Sequence, residues 1–559
     1  LFRSSLGCLP LPSVEYLNSE DHFATQVLKD IASGEVIKHP EILAKDQGNN
    51  WLKPRDVFEK EYRDAGLSEL LDQLDALTSQ IELKIPFVQP KLPKFPTPAN
   101  QSAIQYLKEL CFQQLEKSKN AQNLQYQQRL DRELNVIESM GFADYFLIVH
   151  DVVQFAHQNH ILTGPGRGSA AGSLVAYLLR ITSVDPIEYG LLFERFLNPE
   201  RAQMPDIDLD IPDDKRELML KYVHDKYGHQ HVGQIITFGI LAAKQAIRDV
   251  ARVFGEMPNK INQISALIPS ELNITLERAL ENSSKLQEFI RTSEKNRFMF
   301  ETARRLEGLP RHYSTHAAGI VLSENNLTET TPVQDGNEGM LMSQYSKNYV
   351  ERVGLLKMDF LGLRNLSLMA NILDQVHQLK PDFDIENINL NDTKTLELFQ
   401  RGDTSGIFQF ESAGIRNVLR KVKPNRFGLV VAVNALYRPG PMENIDRFVK
   451  RKEHREHYSF PNDVLSEILG ETFGILVYQE QVMEVASAMG GLSLGQADLL
   501  RRAMSKKKHD VIEQMRTNFI DGALQKGYNA KLAQQVYSYI ENFANYGFNK
   551  SHAVAYSKL

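Results

Sequence analysis

Cysteine is nearly absent, with only Cys8 and Cys111 in 559 residues. Two thiols exclude a disulfide framework and a four-cysteine zinc site, and they suit a reducing compartment, so a cytoplasmic location is expected. Long apolar runs are missing too. Charge or glycine interrupts every hydrophobic stretch within about a dozen residues, which leaves no candidate for a membrane-spanning helix. The start, Leu1-Phe2-Arg3, has neither a methionine nor a signal-peptide core and reads as the beginning of a fragment. There is no internal repeat and no low-complexity tract. A basic excess is lacking as well: the net charge of −6 argues mildly against a nucleic-acid binder. That average hides an uneven distribution. Acids crowd the first eighty residues, whereas Arg501-Arg502-Ala503-Met504-Ser505-Lys506-Lys507-Lys508-His509 is a concentrated positive block, and local fields rather than net charge steer a polyanion.

What remains is an ordinary globular composition, 42% hydrophobic and 24% charged. The chain is too long for one core, so about three to five domains are expected. Residues 1–80 read as helical pieces, followed by a strand at 81–85. The proline-rich stretch Pro86, Pro90, Pro93, Pro96 and Pro98 marks a boundary, because proline cannot continue regular helix or central strand. Residues 100–140 read as a polar helix pair. The run Tyr145-Phe146-Leu147-Ile148-Val149 fits a buried strand or the start of a helix. Residues 215–311 are helical almost throughout, with a break at Ile235-Ile236-Thr237-Phe238-Gly239. Strands are expected at 319–322 and 353–362, and helices from 365 to the end.

The stretch Pro205-Asp206-Ile207-Asp208-Leu209-Asp210-Ile211-Pro212 carries the most chemistry. As a strand it sends the three aspartates to one face, roughly 6.5–7 Å apart. Such alternation usually means a solvent-facing strand edge. Aspartate is a poor strand former, however, and like charges so close raise one another's pKa unless a cation lies between them. A divalent metal is therefore expected. Asp359, alone in the apolar run Leu355-Leu356-Lys357-Met358-Asp359-Phe360-Leu361, is costly to bury unpaired and is assigned to the same metal. Two carboxylates on one strand and a third on another suit two Mg²⁺ ions and in-line phosphoryl displacement. The glycine-rich turn 164–168 and Ser169 empty into an apolar helix at 174–179, whose unpaired N–H groups would receive a triphosphate. This is neither a Walker loop nor a dinucleotide fingerprint. Arg195, Lys357, Arg501 and Arg502 are candidate phosphate contacts, although a solvated helix face is the plainer reading of the last two. His312 and His316, four apart, would share a helix face, but without a convincing third ligand they read as ordinary histidines rather than a zinc pair.

Taken in order, several motifs strongly resemble the bacterial DNA polymerase III alpha-subunit family, the C-family replicative polymerases. They are Gly164-Pro165-Gly166-Arg167-Gly168-Ser169, Phe193-Glu194-Arg195-Phe196, Pro205-Asp206-Ile207-Asp208, Lys357-Met358-Asp359-Phe360, Tyr437-Arg438-Pro439-Gly440-Pro441, Leu500-Arg501-Arg502-Ala503-Met504 and Gly547-Phe548-Asn549-Lys550-Ser551-His552. The resemblance implies an α+β multidomain protein: a PHP remnant (1–85), a polymerase-beta-like nucleotidyltransferase palm (86–238 and 316–365), a helical thumb (239–315) and truncated helical fingers (366–559). It places Asp206, Asp208 and Asp359 on the catalytic, metal-binding carboxylates, with Asp210 in support. Gly168, Ser169, Arg195, Lys357, Arg501 and Arg502 fall on nucleotide-binding positions. The implied reaction is template-directed DNA synthesis from dNTPs on a primer-template, with two Mg²⁺ ions. The implied partners are the sliding clamp and other replisome subunits, through regions beyond these residues, and no membrane.

Departures from the family pattern limit it. Pro12-Ser13-Val14-Glu15 stands where relatives often have Asn-Asp-Val-His, so phosphoesterase or proofreading activity is not expected from these residues. No cysteine follows Cys111, which excludes the branch with a cysteine-rich zinc element. Two other readings are a template-independent nucleotidyltransferase and a catalytically inactive DNA-binding scaffold. The intact aspartates argue against the scaffold, which has no need of charges that repel without metal.

Overall fold

The structure is a computed structural model, and it describes residues 9–10, 12–37, 48–83, 91–98, 101–201, 203–543 and 546–559. Cys8, the start of the chain, Lys84 and Ile85 of the expected 81–85 strand, and Pro86 and Pro90 lie outside the described residues. Ile81, Glu82 and Leu83 themselves are not in a strand. The chain divides into two compact units, Leu1–Phe87 with Ile236–Ser314, and Val88–Ile235 with Thr315–Leu559. No helix among the described residues is long and apolar enough to cross a membrane.

The first unit is helical. His22–Ser33 presents Phe23, Val27 and Ile31, at helical spacing, to Ile247, Val250, Phe300 and Ala303 of the helices Ala243–Val253 and Glu294–Leu306. Phe23 stacks on Phe298 with ring centroids 4.8 Å apart. The early segment and the insert at 236–314 therefore share one core. The short helices of the insert start where side chains can cap them: Thr275, Ser283 and Ser293 each accept a backbone N–H of the helix they precede.

The second unit is built around the helix Ala143–Gln158. Residues 143–149 of it are all buried, so the run at Tyr145 is resolved as the start of a helix whose first two turns are covered on every side. Against it lies a mixed sheet of strands β1 (Asp208–Pro212), β2 (Val232–Ile240), β3 (Pro310–Leu322), β4 (Val333–Asp335), β5 (Leu341–Ser346) and β6 (Leu356–Leu363), in the order β1-β6-β3-β2-β5-β4. The expected break in the helical pattern at 235–239 is part of strand β2, where the β-branched run Ile235-Ile236-Thr237 dominates. His312 and His316 lie on strand β3, not on a helix. β1 and β6 run parallel, and β6 pairs antiparallel with β3.

Beyond β6 the chain is helical, from Arg364–Leu379 to Lys550–Lys558. Its core includes Phe427–Leu436, Gln479–Gly490 and Leu494–Ser505. Gly522 meets Gly490 so closely that a Cβ on Gly522 would lie 1.9 Å from the Gly490 carbonyl oxygen. A short parallel bridge, Tyr478 with Phe548, anchors the last helix, and the buried Glu480 accepts the N–H groups of Lys550 and Ser551 at its start.

Candidate active site

Alternation along residues 206–210 and the β1–β6 register together build the acidic centre. Asp208 on β1 is directly opposite Asp359 on β6, and Asp206 lies two residues before Asp208. One carboxylate oxygen from each of the three lies within 4.8 Å of the others. Burial, then the charges of Asp206 and Asp359, push the Asp208 carboxyl up to about 7. Asp208 therefore resists ionisation beside the two other carboxylates without a cation.

Asp359 is held from one side only. Lys357, two residues earlier on the same face of β6, donates to Asp359 Oδ2 at 2.6 Å. Burial opposes the lysine's charge, but that hydrogen bond and the surrounding aspartates keep its pKa raised. Asp359 Oδ1 is buried and has no partner among the described residues. The space beside it exists because β3 carries glycine there: a Cβ on Gly319, opposite Asp359 in the sheet, would lie 2.8 Å from this oxygen. A buried, unpartnered carboxylate oxygen among hard oxygen donors fits a Mg²⁺-type ion.

Asp210 belongs to a different arrangement. It is buried, and its Oδ2 accepts from the Tyr556 hydroxyl at 3.0 Å. Arg167 Nη1 donates to that hydroxyl at 2.6 Å and to Asp210 Oδ1 at 3.4 Å, while Arg167 Nε comes within 3.8 Å of Asp208 Oδ2. The Gly168 N–H donates to His552 Nδ1 at 3.3 Å. Burial, then Arg167 and Arg438, hold the His552 imidazole down at about 4, so it is neutral and able to accept. His552 and Tyr556 are four apart on the last helix and share a face, with rings 4.2 Å apart. Sequence reasoning placed the Gly-Arg-Gly turn and the Lys-Ser-His helix in separate motifs. The spacing of His552 and Tyr556 was the signal that they act on one surface.

The glycine loop differs from expectation at its far end. The helix Leu174–Leu178 has a single turn, and its N-terminus is occupied. The fully buried Glu133 accepts from Leu174 N–H at 3.0 Å, Val175 N–H at 3.1 Å and the Ser173 hydroxyl at 2.8 Å, and is paired with Arg129. These N–H groups cannot receive a triphosphate. Gly168 and Ser169 precede that turn, and a Cβ on Gly168 would meet nothing, although its φ of +63° favours glycine.

The candidate arginines differ among themselves. Arg195 donates to the Gln479 side chain at 2.9 Å, and burial with the neighbouring Arg501 charge lowers its pKa to about 10. Arg501 is buried and donates to Asp498 at 2.7 and 3.1 Å, so it is not on a solvated face. Arg502 is partly exposed and makes no ion pair among the described residues.

Residues 105–362 match the bacterial DNA polymerase III alpha NTPase domain, and residues 365–527 match the bacterial DNA polymerase III alpha subunit finger domain. The chain belongs to the DNA polymerase III alpha family. It is 50% identical over 547 residues to the DNA polymerase III subunit alpha of Bacillus subtilis, covering 98% of this chain and 49% of the relative. Its likeness to the subunit of Halalkalibacterium halodurans is 46% over 548 residues, with the same coverage of each. For Staphylococcus aureus it is 46% over 516 residues, 92% of this chain and 48% of the relative. The chain spans about half the length of these curated relatives. All three aspartates of the acidic centre fall within the span of the first matched domain, and Arg501 and Arg502 within that of the finger domain.

Proposed function

We propose that this chain carries the polymerising centre of a replicative DNA polymerase: a primer 3′-hydroxyl attacks the α-phosphate of a template-paired dNTP, and pyrophosphate leaves. The observation that carries this reading is the cluster of Asp206, Asp208 and Asp359, with the unpartnered Oδ1 of Asp359 beside Gly319. These three side chains would hold two Mg²⁺ ions. Bound there, the ions would lower the pKa of the attacking hydroxyl and would neutralise charge on the triphosphate and on departing pyrophosphate.

The chain's own groups do the rest. Lys357 fixes the rotamer of Asp359 through its 2.6 Å hydrogen bond and places a cation beside the reacting phosphates. Arg167, restrained by Tyr556 and Asp210, offers forked donors next to Asp208, while Gly168 and Ser169 supply close backbone approach. Arg502 reaches the phosphates from the helical region, with Arg195 and Arg501 packed behind it as positive charge. Base pairing with the template chooses the nucleotide, and the protein positions backbone and phosphates. In this reading 86–238 and 316–365 form the palm, 239–315 the thumb, 366–559 the fingers and 1–85 a PHP remnant. Clamp and replisome contacts belong to the rest of a full-length subunit.

The test is Asp208→Asn in this chain joined to the remaining half of a full-length relative. Primer extension falls by at least about a hundredfold, as loss of electrostatic stabilisation at a reaction centre does, and primer–template affinity stays within a few-fold. Retained extension rejects the assignment.

A further inference from the structure

A second cluster of ligating side chains lies outside the acidic centre. The helix Arg216–Tyr227 buries Met219, Leu220, Val223 and His224 on one face. It ends at Gly228, whose φ of +104° and hydrogen bond to the His224 carbonyl turn the chain back on itself. The turn brings His229 against the last helical turn, with its ring 4.2 Å from that of His224 and at 69° to it. Asp225, next to His224, lies 3.7 Å from His229 Nε2 through its Oδ1. One ligand atom from each of the three residues falls within 4.8 Å of the others.

The burial of His224 is the independent sign. It is only 7% exposed, and its Nε2 has no hydrogen-bond partner among the described residues. A buried imidazole nitrogen is normally satisfied, so one left bare beside a second imidazole and a carboxylate asks for a ligand. Asp225 and His229 are largely exposed and can rotate inward to close the remaining distance.

We propose that His224, Asp225 and His229 form a binding site for a borderline divalent transition ion of the zinc class. Two imidazoles and one carboxylate match that class and not Mg²⁺, which prefers oxygens alone. Three protein ligands leave the fourth position to water. The ion clamps the end of the helix to the turn that leads into β2, a role separate from the acidic centre.

The experiment uses the full chain, stripped of metal and held in excess Mg²⁺ so that the aspartate centre is filled. Co²⁺ is titrated in and followed by its visible absorption, then displaced with Zn²⁺. One equivalent of Co²⁺ is expected, replaced by one of Zn²⁺. His229→Ala and Asp225→Asn each weaken binding by at least about tenfold, the lower end of what even indirect supports of a metal contribute. Asp208→Asn leaves it unchanged. Should His224→Gln fail to fold, the exposed His229 variant still decides the matter. Absence of Co²⁺ and Zn²⁺ binding overturns the proposal. So does binding that survives His229→Ala, or binding lost with Asp208→Asn, which would assign the ion to the aspartates.

Discussion

Asp208 and Asp359 stand opposite one another on the parallel strands β1 and β6. Parallel pairing keeps opposed residues on the same face, so the two carboxylates converge instead of diverging across the sheet. On the other side of Asp359, β3 places Gly319 at the matching register. The acidic centre is thus a property of three neighbouring strands and not of the Asp-x-Asp sequence alone.

Gly319 is the first place to test that statement. A Cβ there would lie 2.8 Å from Asp359 Oδ1 and 3.0 Å from His316 Nδ1, which already accepts the Gly319 N–H. Gly319→Ala should cost about 1–3 kcal/mol of stability through overpacking. It should also raise the Mg²⁺ concentration needed for half-maximal extension, because the displaced carboxylate loses its aim. Urea unfolding and a Mg²⁺ titration read the two effects separately. An alanine variant with unchanged Mg²⁺ dependence would show that the oxygen beside Gly319 does not face an ion.

Tyr556 links two groups through one hydroxyl: it accepts from Arg167 and donates to Asp210. Tyr556→Phe keeps the ring and removes the link, leaving a buried carboxylate and a guanidinium each short of a partner, at a cost of about 1–3 kcal/mol. Arg167 then loses its restraint beside Asp208. The expected signature is a fall of about tenfold in the rate constant for incorporation, with dNTP affinity changed less, since a positioning defect of this kind acts mainly on the reacting geometry. Single-turnover extension separates the two. A loss confined to dNTP affinity would mean that Tyr556 contributes to binding alone.

Much of the acidic centre was legible because unusual residues occupied expensive positions. Asp206 and Asp208 alternate in a strand that aspartate disfavours, and Asp359 interrupts an apolar run. Strand order was not legible, since nothing in a linear pattern says that β6 lies between β1 and β3. The one-turn helix at 174 misled for a related reason. Its N–H groups are taken by Glu133, a carboxylate forty residues earlier on another helix, and such a partner leaves no local mark. Arg501 is an intermediate case. Its partner Asp498 is three residues away, at helix spacing, so the pair could have been found, but the charge run drew attention to the exposed side of the helix.

Glu133 offers a stability test free of catalysis. It is fully buried, accepts three hydrogen bonds at the start of the helix Leu174–Leu178, and pairs with Arg129, which in turn donates to the Gly172 and Leu191 carbonyls. Glu133→Ala strands both the guanidinium and the helix N–H groups, so a loss of about 3–5 kcal/mol is expected in denaturant unfolding. Glu133→Gln retains part of the acceptor geometry and should cost less. If alanine and glutamine were equally mild, the carboxylate would not be what holds this turn.

Glu484 makes stability depend on pH. It lies on the helix Gln479–Gly490, where Glu480 and Glu471 both approach Lys550: Glu480 accepts the Lys550 N–H, and Glu471 pairs with its ammonium at 3.1 Å. Burial raises the Glu484 carboxyl first and the two other glutamates add to it, so that even with Lys550 opposing, it is pushed up to about 7 from 4.5. The folded state therefore binds a proton that the unfolded state has released between these values. The sign follows from linkage: this contribution is fully present below about pH 4.5 and is lost as the pH rises through about 7. Because the residue is only partly buried, the loss should be about 1–3 kcal/mol. Glu484→Gln, which cannot ionise, should match the parent near pH 5 and exceed it near pH 8. Thermal unfolding at the two pH values measures the difference. A gap that stays constant with pH would mean that Lys550 neutralises Glu484 in the folded protein.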